Sequence, residues 1–506
     1  MLSTPWVSFK EHLYLFNFIG AILTLMGLFL LIPLIPLWLL DEGGPEGISV
    51  WTFLVPACFA IISGLAIQRG FSYQTPSIRD AMIITALGWI LVCFLGAIPY
   101  QLGLHKSFID ALFESVSGFT TTGITVFEGL DTMPGSILFW RSFTQWLGGL
   151  GILSFFILVS FRGGSAAAAL FSAEGHKISI SRPVPGIFNT MKILWGLYIL
   201  FTISSFLCFL AAGMTLFDAL NHCFTCISTG GFSTHDASLA YWSQNQYPHA
   251  WLIEYIAVLF MLAGGISFLV HFKVITGDIK ALFTGFEIRF YWLIAGGALL
   301  LVCLDHCKVF AQTQTWDVKT LHHLFRSALF QVSSLLTSTG YLTTNINDPF
   351  FPPLSKQIFL ALMITGGCVG STAGGLKVLR IGLLARLFAV QLQRISLPRA
   401  AVVPLLLSGK VISSAEIERV AALFWIWMTI IVGGAFATTA FSDLGPWQGL
   451  SGMASAMGNM GPFYFSVHEM VSLHWVIKLT YILGMLAGRL EIIPLAVLFG
   501  TILRRR

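Results

Sequence analysis

Long apolar runs separated by short polar turns occupy most of the chain, at 13–40, 51–68, 81–103, 137–161, 190–213, 250–272, 288–304, 357–391, 417–441 and 473–501. Most are about 18 to 28 residues long, enough to cross a hydrocarbon core of about 30 Å at about 1.5 Å per residue. The pattern predicts an all-α polytopic membrane protein with ten spanning helices. The first run lacks a small-residue cleavage site and is too long for a signal peptide, so it is expected to remain as a helix.

Four shorter, mildly apolar stretches lie between spans, and each ends in a glycine loop. The loops read Thr121-Thr122-Gly123-Ile124, Thr229-Gly230-Gly231-Phe232, Ser338-Thr339-Gly340-Tyr341 and Asn459-Met460-Gly461-Pro462. With Gly123, Gly231, Gly340 and Gly461 as anchors, successive copies are 108, 109 and 121 residues apart. Thirteen positions before the anchors stand Asp110, Asp218, Ser327 and Gln448; six before them stand Ser117, Thr225, Ser334 and Ser455. Three of these four starts are good N-caps, which predicts a short helix running from each start to its loop. Such a helix is too short to span and must be re-entrant. The repeating unit is outer helix, pore helix, loop, inner helix. An N-terminal transmembrane helix pair at 1–75, split by an acidic turn (Asp41, Glu42, Glu46), is followed by four pseudo-repeats around a central pore at 76–186, 187–284, 285–412 and 413–506.

Composition sharpens the class. Of 506 residues, 56% are hydrophobic and 10% charged, against the roughly 25% charge of a soluble domain. Soluble enzymes, secreted disulfide scaffolds and nucleic-acid binders are excluded. The +5 net charge is concentrated at Lys10, 69–79, 162–192, 273–289, 377–419 and Arg504 to Arg506, a positive-inside bias that places both termini in the cytoplasm. The eight cysteines are scattered. Cys223 and Cys226 beside His222 read better as small apolar packing than as a metal site.

Non-helical backbone at membrane depth is tolerated only where it is buried in protein or lines water, so four such loops imply one shared axis. Glycine lets carbonyls turn inward and replace a cation's hydration shell. The loops carry no charged side chain from anchor −2 to +2, which favours potassium over multivalent cations or anions. Glu128, Asp131, Asp236 and Asp348 lie just beyond the loops, either concentrating cations at the outer mouth or simply solvated. Gly366, Gly367, Gly370, Ser371, Thr372, Gly374 and Gly375 interrupt the third inner helix, predicting a broken, mobile loop lining the pathway. Arg489 sits in the last apolar helix with Glu491 too close in sequence to pair with it cleanly, so it is expected to face the cavity or to snorkel. An intramembrane transferase would need convergent acids and bases. His222 and Glu114 lie in pore helices, yet no acid–base pair repeats.

The segments 140–149 (WRSFTQWLGG), 228–233 (STGGFS), 370–377 (GSTAGGLK) and 488–491 (GRLE) resemble the signatures of the TrkH/KtrB superfamily of potassium transporters. The extra N-terminal helix pair is similar to the TrkH and TrkG branch rather than the shorter KtrB. The resemblance implies one filter glycine per repeat, potassium held at Thr122, Gly123, Gly230, Gly231, Thr339, Gly340, Asn459 and Met460, and an intramembrane gate at 366–375 with Lys377 and Arg489 beside it. It also implies a homodimer in the lipid of a bacterial inner membrane, no covalent cofactor, and a cytoplasmic nucleotide-binding ring like TrkA that carries the regulatory nucleotide. A sodium-permeable or sodium/proton-coupled relative is the alternative. One departure is the fourth loop, where Met460 replaces the usual valine and Phe463 the glycine after the proline.

Overall fold

The computed structural model describes residues 13–42, 47–151, 187–310, 317–398, 403–407 and 409–503. Apart from a two-residue ladder pairing Leu406–Leu407 with Lys410–Val411, the described elements are helices. Six are long and apolar enough to cross a membrane, and up to eight if each of two bent pairs counts as one span. The other two expected spans differ in kind. That at 137–161 begins as Gly135–Gly149 and continues outside the described residues; that at 357–391 is split into Pro353–Thr365 and Val378–Ile395.

The pore helices are Phe108–Phe119, Leu216–Ile227, Val318–Leu336 and Pro446–Gly458. They begin earlier than expected. Ser107 and Thr215 are the caps, accepting from the backbone N–H of Asp110 and Asp218, so these aspartates are third-position partners rather than caps. Asp317 caps the third pore helix, ten residues before Ser327, because 318–326 is polar but still helical. Gly445 caps the fourth.

Packing closes the repeats into a ring. Each outer helix packs on its own pore helix, and each inner helix on the pore helix of the next repeat: Gly135–Gly149 on Leu216–Ile227, Ala250–Gly265 on Val318–Leu336, Pro353–Thr365 on Pro446–Gly458, and Trp475–Arg489 back on Phe108–Phe119. Ion pairs brace two of these junctions, Arg326–Glu254 at 2.9 Å and Lys478–Asp110 at 2.6 Å.

The N-terminal pair, Leu15–Phe29 continuing through Leu34–Leu39 and then Trp51–Gly70, packs through small residues: a Cβ on Gly64 would lie 2.6 Å from the Gly20 carbonyl. It is also tied to the ring. The Glu42 carboxylate accepts from the backbone N–H of Gly135 and Ser136, neutralising the free amides that begin the first inner helix.

The breaks are not confined to the third inner helix. The second bends by 103° between Ala250–Gly265 and Phe268–Ile275, and the fourth by 115° between Trp475–Arg489 and Ile493–Leu503. Hydropathy runs straight through both, which hides them from the sequence.

Candidate ion pathway

The four pore helices end identically. At anchor −1, the N–H of Thr122, Gly230, Thr339 and Met460 donates to the carbonyl of Ser117, Thr225, Ser334 and Ser455 at 2.9 to 3.0 Å. At −2, the N–H of Thr121, Thr229, Ser338 and Asn459 donates back to Gly118, Cys226, Leu335 and Ala456. This paired closure is the Schellman C-cap, and it requires a left-handed residue at −2. Those residues have φ from 52° to 54°, and the anchors Gly123, Gly231, Gly340 and Gly461 have φ from 76° to 100°, whereas the residues between them do not. Alternation of hand gathers successive N–H groups on one side of the strand and leaves the carbonyls on the other. Of the carbonyls at −2, −1 and the anchor in all four loops, only that of Gly230 accepts a hydrogen bond among the described residues, from Gln145 Nε2 at 2.7 Å.

The loops touch in cyclic order. A Cβ on Gly123 would lie 2.2 Å from the Gly230 carbonyl, one on Gly231 1.9 Å from that of Thr339, one on Gly340 1.9 Å from that of Met460, and one on Gly461 3.1 Å from that of Thr122. Only glycine fits at the first three. The fourth-to-first closure is looser, and there the Asn459 side chain donates to Thr122 Oγ1 at 2.9 Å and to the Met485 carbonyl at 3.0 Å. The fourth loop therefore keeps the shared backbone despite its unusual sequence.

Behind the ring each loop is held differently. Glu114 and Arg141, both essentially unexposed, pair at 2.8 Å; Glu114 also accepts from Thr125 Oγ1 and the Val126 N–H, and Arg141 lies over the Phe232 ring and donates to the Ser233 carbonyl. Gln145 additionally accepts from the Phe232 N–H. At the position equivalent to Glu114, His222 meets Ser233 Oγ at 3.0 Å, Gln331 has no hydrogen-bond partner among the described residues, and Gly452 leaves room for the Tyr481 hydroxyl. Sequence reasoning passed over Arg141 and Gln145 as site residues. An ionisable side chain inside the apolar run 137–161 was the available signal.

On one side of the ring lies the interruption of the third inner helix. The Thr372 hydroxyl donates to the carbonyls of Ile227 and Gly264, and the Gly374 N–H to Ser338 Oγ, while the Cys368 N–H donates to Gly265 and the Val369 N–H to Glu287. A Cβ on Gly374 would lie 2.3 Å from the Gly458 carbonyl, and one on Gly366 2.1 Å from that of Gly374. Gly366, Gly367, Gly370, Ser371, Thr372, Gly374 and Gly375 are thus a tightly fastened segment, and the close approach accounts for the glycines at 366 and 374. Lys377, at φ 81°, donates to the Ala373 carbonyl. Arg489 does not snorkel: it donates to the carbonyls of Gly148, Gly149 and Thr372, satisfying the negative end of the first inner helix.

On the opposite side the acidic residues cross-link loops. His235 lies between Asp131 (2.6 Å) and Asp218 (3.4 Å) and stacks on Tyr241; Asp236 accepts from the Gly129 N–H; His468 meets Glu128. Asp348 turns its own loop by accepting from the Phe350 N–H. Burial opposes the charge on His235, but the two carboxylates outweigh it and hold its pKa above the usual histidine value; burial likewise opposes charge on Asp131, whose carboxyl is nevertheless lowered by the histidine and the Asp236 amide. Cys223 donates to the Leu220 carbonyl, and among the described residues no group of three His, Cys, Asp or Glu could hold a metal.

Residues 52–505 match the TrkH family, described as a cation transport protein. The chain is 30% identical to an uncharacterized cation transporter of Methanocaldococcus jannaschii, over 96% of this chain and 95% of that one. It is 33% identical to the Trk system potassium uptake protein TrkH of Escherichia coli K12, over 83% and 85%. The crystal structure of the potassium transporter TrkH from Vibrio parahaemolyticus superposes with a TM-score of 0.82 at 30% identity, covering 96% of this chain and 98% of that one. With motif, fold and sequence in agreement over nearly the whole length, the chain belongs to the TrkH family of cation transport proteins, transporters and not enzymes.

Proposed function

We propose that the chain conducts potassium across the cytoplasmic membrane, as a channel-like uptake subunit whose selectivity filter is the ring of four loops. The observation that carries this reading is a set of carbonyls in a largely buried ring that, apart from that of Gly230, accept no hydrogen bond among the described residues. Buried carbonyls are costly unless met, and carbonyls around an axis suit a dehydrated monovalent cation. Potassium sits among Thr122, Gly123, Gly230, Gly231, Thr339, Gly340, Asn459 and Met460, with Thr121, Thr229, Ser338 and Gly461 completing the alternation. Gln145 takes a share of the Gly230 carbonyl, which fixes the second loop more than it serves the ion. Ile124, Phe232 and Tyr341 follow the anchors and pack the loops in place; Tyr341 bonds to Thr225 Oγ1 of the neighbouring pore helix.

The segment 366–377, fastened directly beneath these loops, is the gate, with Lys377 and Arg489 supplying positive charge on the cytoplasmic side. The names of the relatives, potassium uptake proteins of the Trk system, agree. By the same likeness the chain forms a homodimer and takes its regulation from a cytoplasmic nucleotide-binding ring, with both termini cytoplasmic; residues 1–12 and 504–506 lie outside the described set. Growth at limiting potassium in a host lacking its own uptake systems, with rubidium flux into liposomes, tests the reading. Rescue and flux blocked by potassium are expected. A folded protein inert to both ions, with its partner ring and nucleotides present, overturns it, and equal sodium flux favours the sodium-permeable alternative.

A further inference from the structure

The bend of the fourth inner helix is backbone-strained and reaches the segment 366–377 at two places. Glu491 and Ile492 have φ of 54° and 68°, a conformation that is rare for any residue but glycine and most unusual for a β-branched one. Just before them, Arg489 donates to the Thr372 carbonyl in the middle of the segment. Within the turn itself, the Glu491 carboxylate pairs with Arg380 at 2.5 Å, and Arg380 stands in the first helical turn after the segment, with its own NH1 directed to the Leu376 carbonyl. Both members of this pair are mostly buried, 8% and 17% exposed. The half-helix beyond the turn, Ile493–Leu503, packs on the outer helix of the first repeat, where Arg79 donates to Thr501 Oγ1.

We propose that Glu491 is a positioning residue for the gate: through Arg380 it clasps the end of the segment 366–377 to the strained turn of the fourth inner helix, so that the gate opens only when that turn rearranges. The inference rests on reading this segment as the gate. Strain of this kind persists where surrounding contacts enforce it and marks segments that switch. Here the contacts are two side chains, Arg489 at the end of the half-helix before the turn and Glu491 within it. Lys377, anchored to the Ala373 carbonyl, and Glu287, anchored to the Val369 N–H, are the neighbouring charges, and neither reaches Glu491 by a hydrogen bond.

Cys368 lies inside the segment and is 1% exposed, which makes it a built-in reporter. The test uses the full chain with its other seven cysteines replaced, reconstituted in liposomes, and measures both the rate of Cys368 modification by a small cationic methanethiosulfonate and rubidium flux. Glu491→Gln and Arg380→Gln are each expected to speed modification by about tenfold, the effect of shifting a closed–open balance by that factor, and to raise basal flux. The exchanged pair, Arg380→Glu with Glu491→Arg, is expected to return modification toward the starting rate. Faster modification without a change in flux supports the clasp and removes the gate reading. An unchanged modification rate in folded Glu491→Gln overturns the clasp whatever the flux does, as does an exchanged pair no slower than the single variants. Should Glu491→Gln fail to fold, Glu491→Asp, one methylene shorter, gives the same readout, with an intermediate rate expected and an unchanged one overturning the proposal.

Discussion

The first and third glycine loops have nearly the same backbone and opposite support. At the same position of the pore helix, Glu114 is locked into a buried ion pair with Arg141 that also gathers Thr125, Val126 and Ser233, whereas the Gln331 amide meets no partner among the described residues. Yet Thr121 and Ser338 have φ of 54° and 53°, and Gly123 and Gly340 81° and 85°. Loop geometry is therefore set locally, by the Schellman closure and the anchor glycine. The support behind it varies freely among repeats and sets how firmly each loop is held.

The sharpest way to break this division is at the anchors. Gly340→Ala places a Cβ 1.9 Å from the Met460 carbonyl, while in Gly461→Ala the nearest atom is at 3.1 Å. Rubidium uptake is expected to vanish in the first and to persist in part in the second; equal losses would show that the ring is not asymmetric at its closure. Gly297→Ala, with nothing within 4 Å of its Cβ, should leave uptake intact.

Next comes the support. Arg141→Met strands a buried carboxylate and is expected to cost about 3–5 kcal/mol, read as thermal unfolding of the purified protein. Gln331→Leu should change stability by less than about 1 kcal/mol or raise it, since an unpartnered amide is removed. If the two variants unfold alike, the supports do not differ in the way described.

The smallest effect concerns the loops on the far side of the ring. Because the His235 pKa is raised in the folded protein, its stabilising charge is fully present below the unfolded value of about 6.5 and is lost as pH rises through the higher folded value. Asp131 is lowered, so its contribution is lost only at the acid end. Unfolding temperature should fall more in the wild type than in His235→Gln as pH rises from about 6.5 through the raised folded value; parallel profiles would show that His235 does not cross-link these loops through its charge.

Much of the architecture is legible because membrane burial writes itself into hydropathy and because four glycine loops recur at a nearly regular spacing. Gly123, Gly231, Gly340 and Gly461 share one sequence pattern, and the structure brings their loops into contact in cyclic order. The pore helices start three to ten residues before the positions the sequence pattern marks, since Asp110 and Asp218 resemble caps but serve as third-position partners of Ser107 and Thr215. The glycine segment at 366–375 reads in the sequence as a break in the helix, which it is; the hydrogen bonds that tie it to Ile227, Ser338 and Gly265 do not show in the sequence. Glycine count reports backbone freedom in the unfolded chain, while close approach in the folded one is a property of what lies opposite.

By itself the sequence determined the class, the spacing of the four loops and the glycines that take positive φ in them, because hydrophobic length and backbone-angle demands are local. Only the tertiary structure decided that Arg141 supports the first two loops, that Arg489 serves helix-end carbonyls, that Glu491 reaches Arg380, and that the second and fourth inner helices bend. Each of those depends on which groups from distant segments meet in a medium without water. There a charge or a carbonyl must find its partner within the protein, and the identity of that partner is not encoded in its neighbours along the chain.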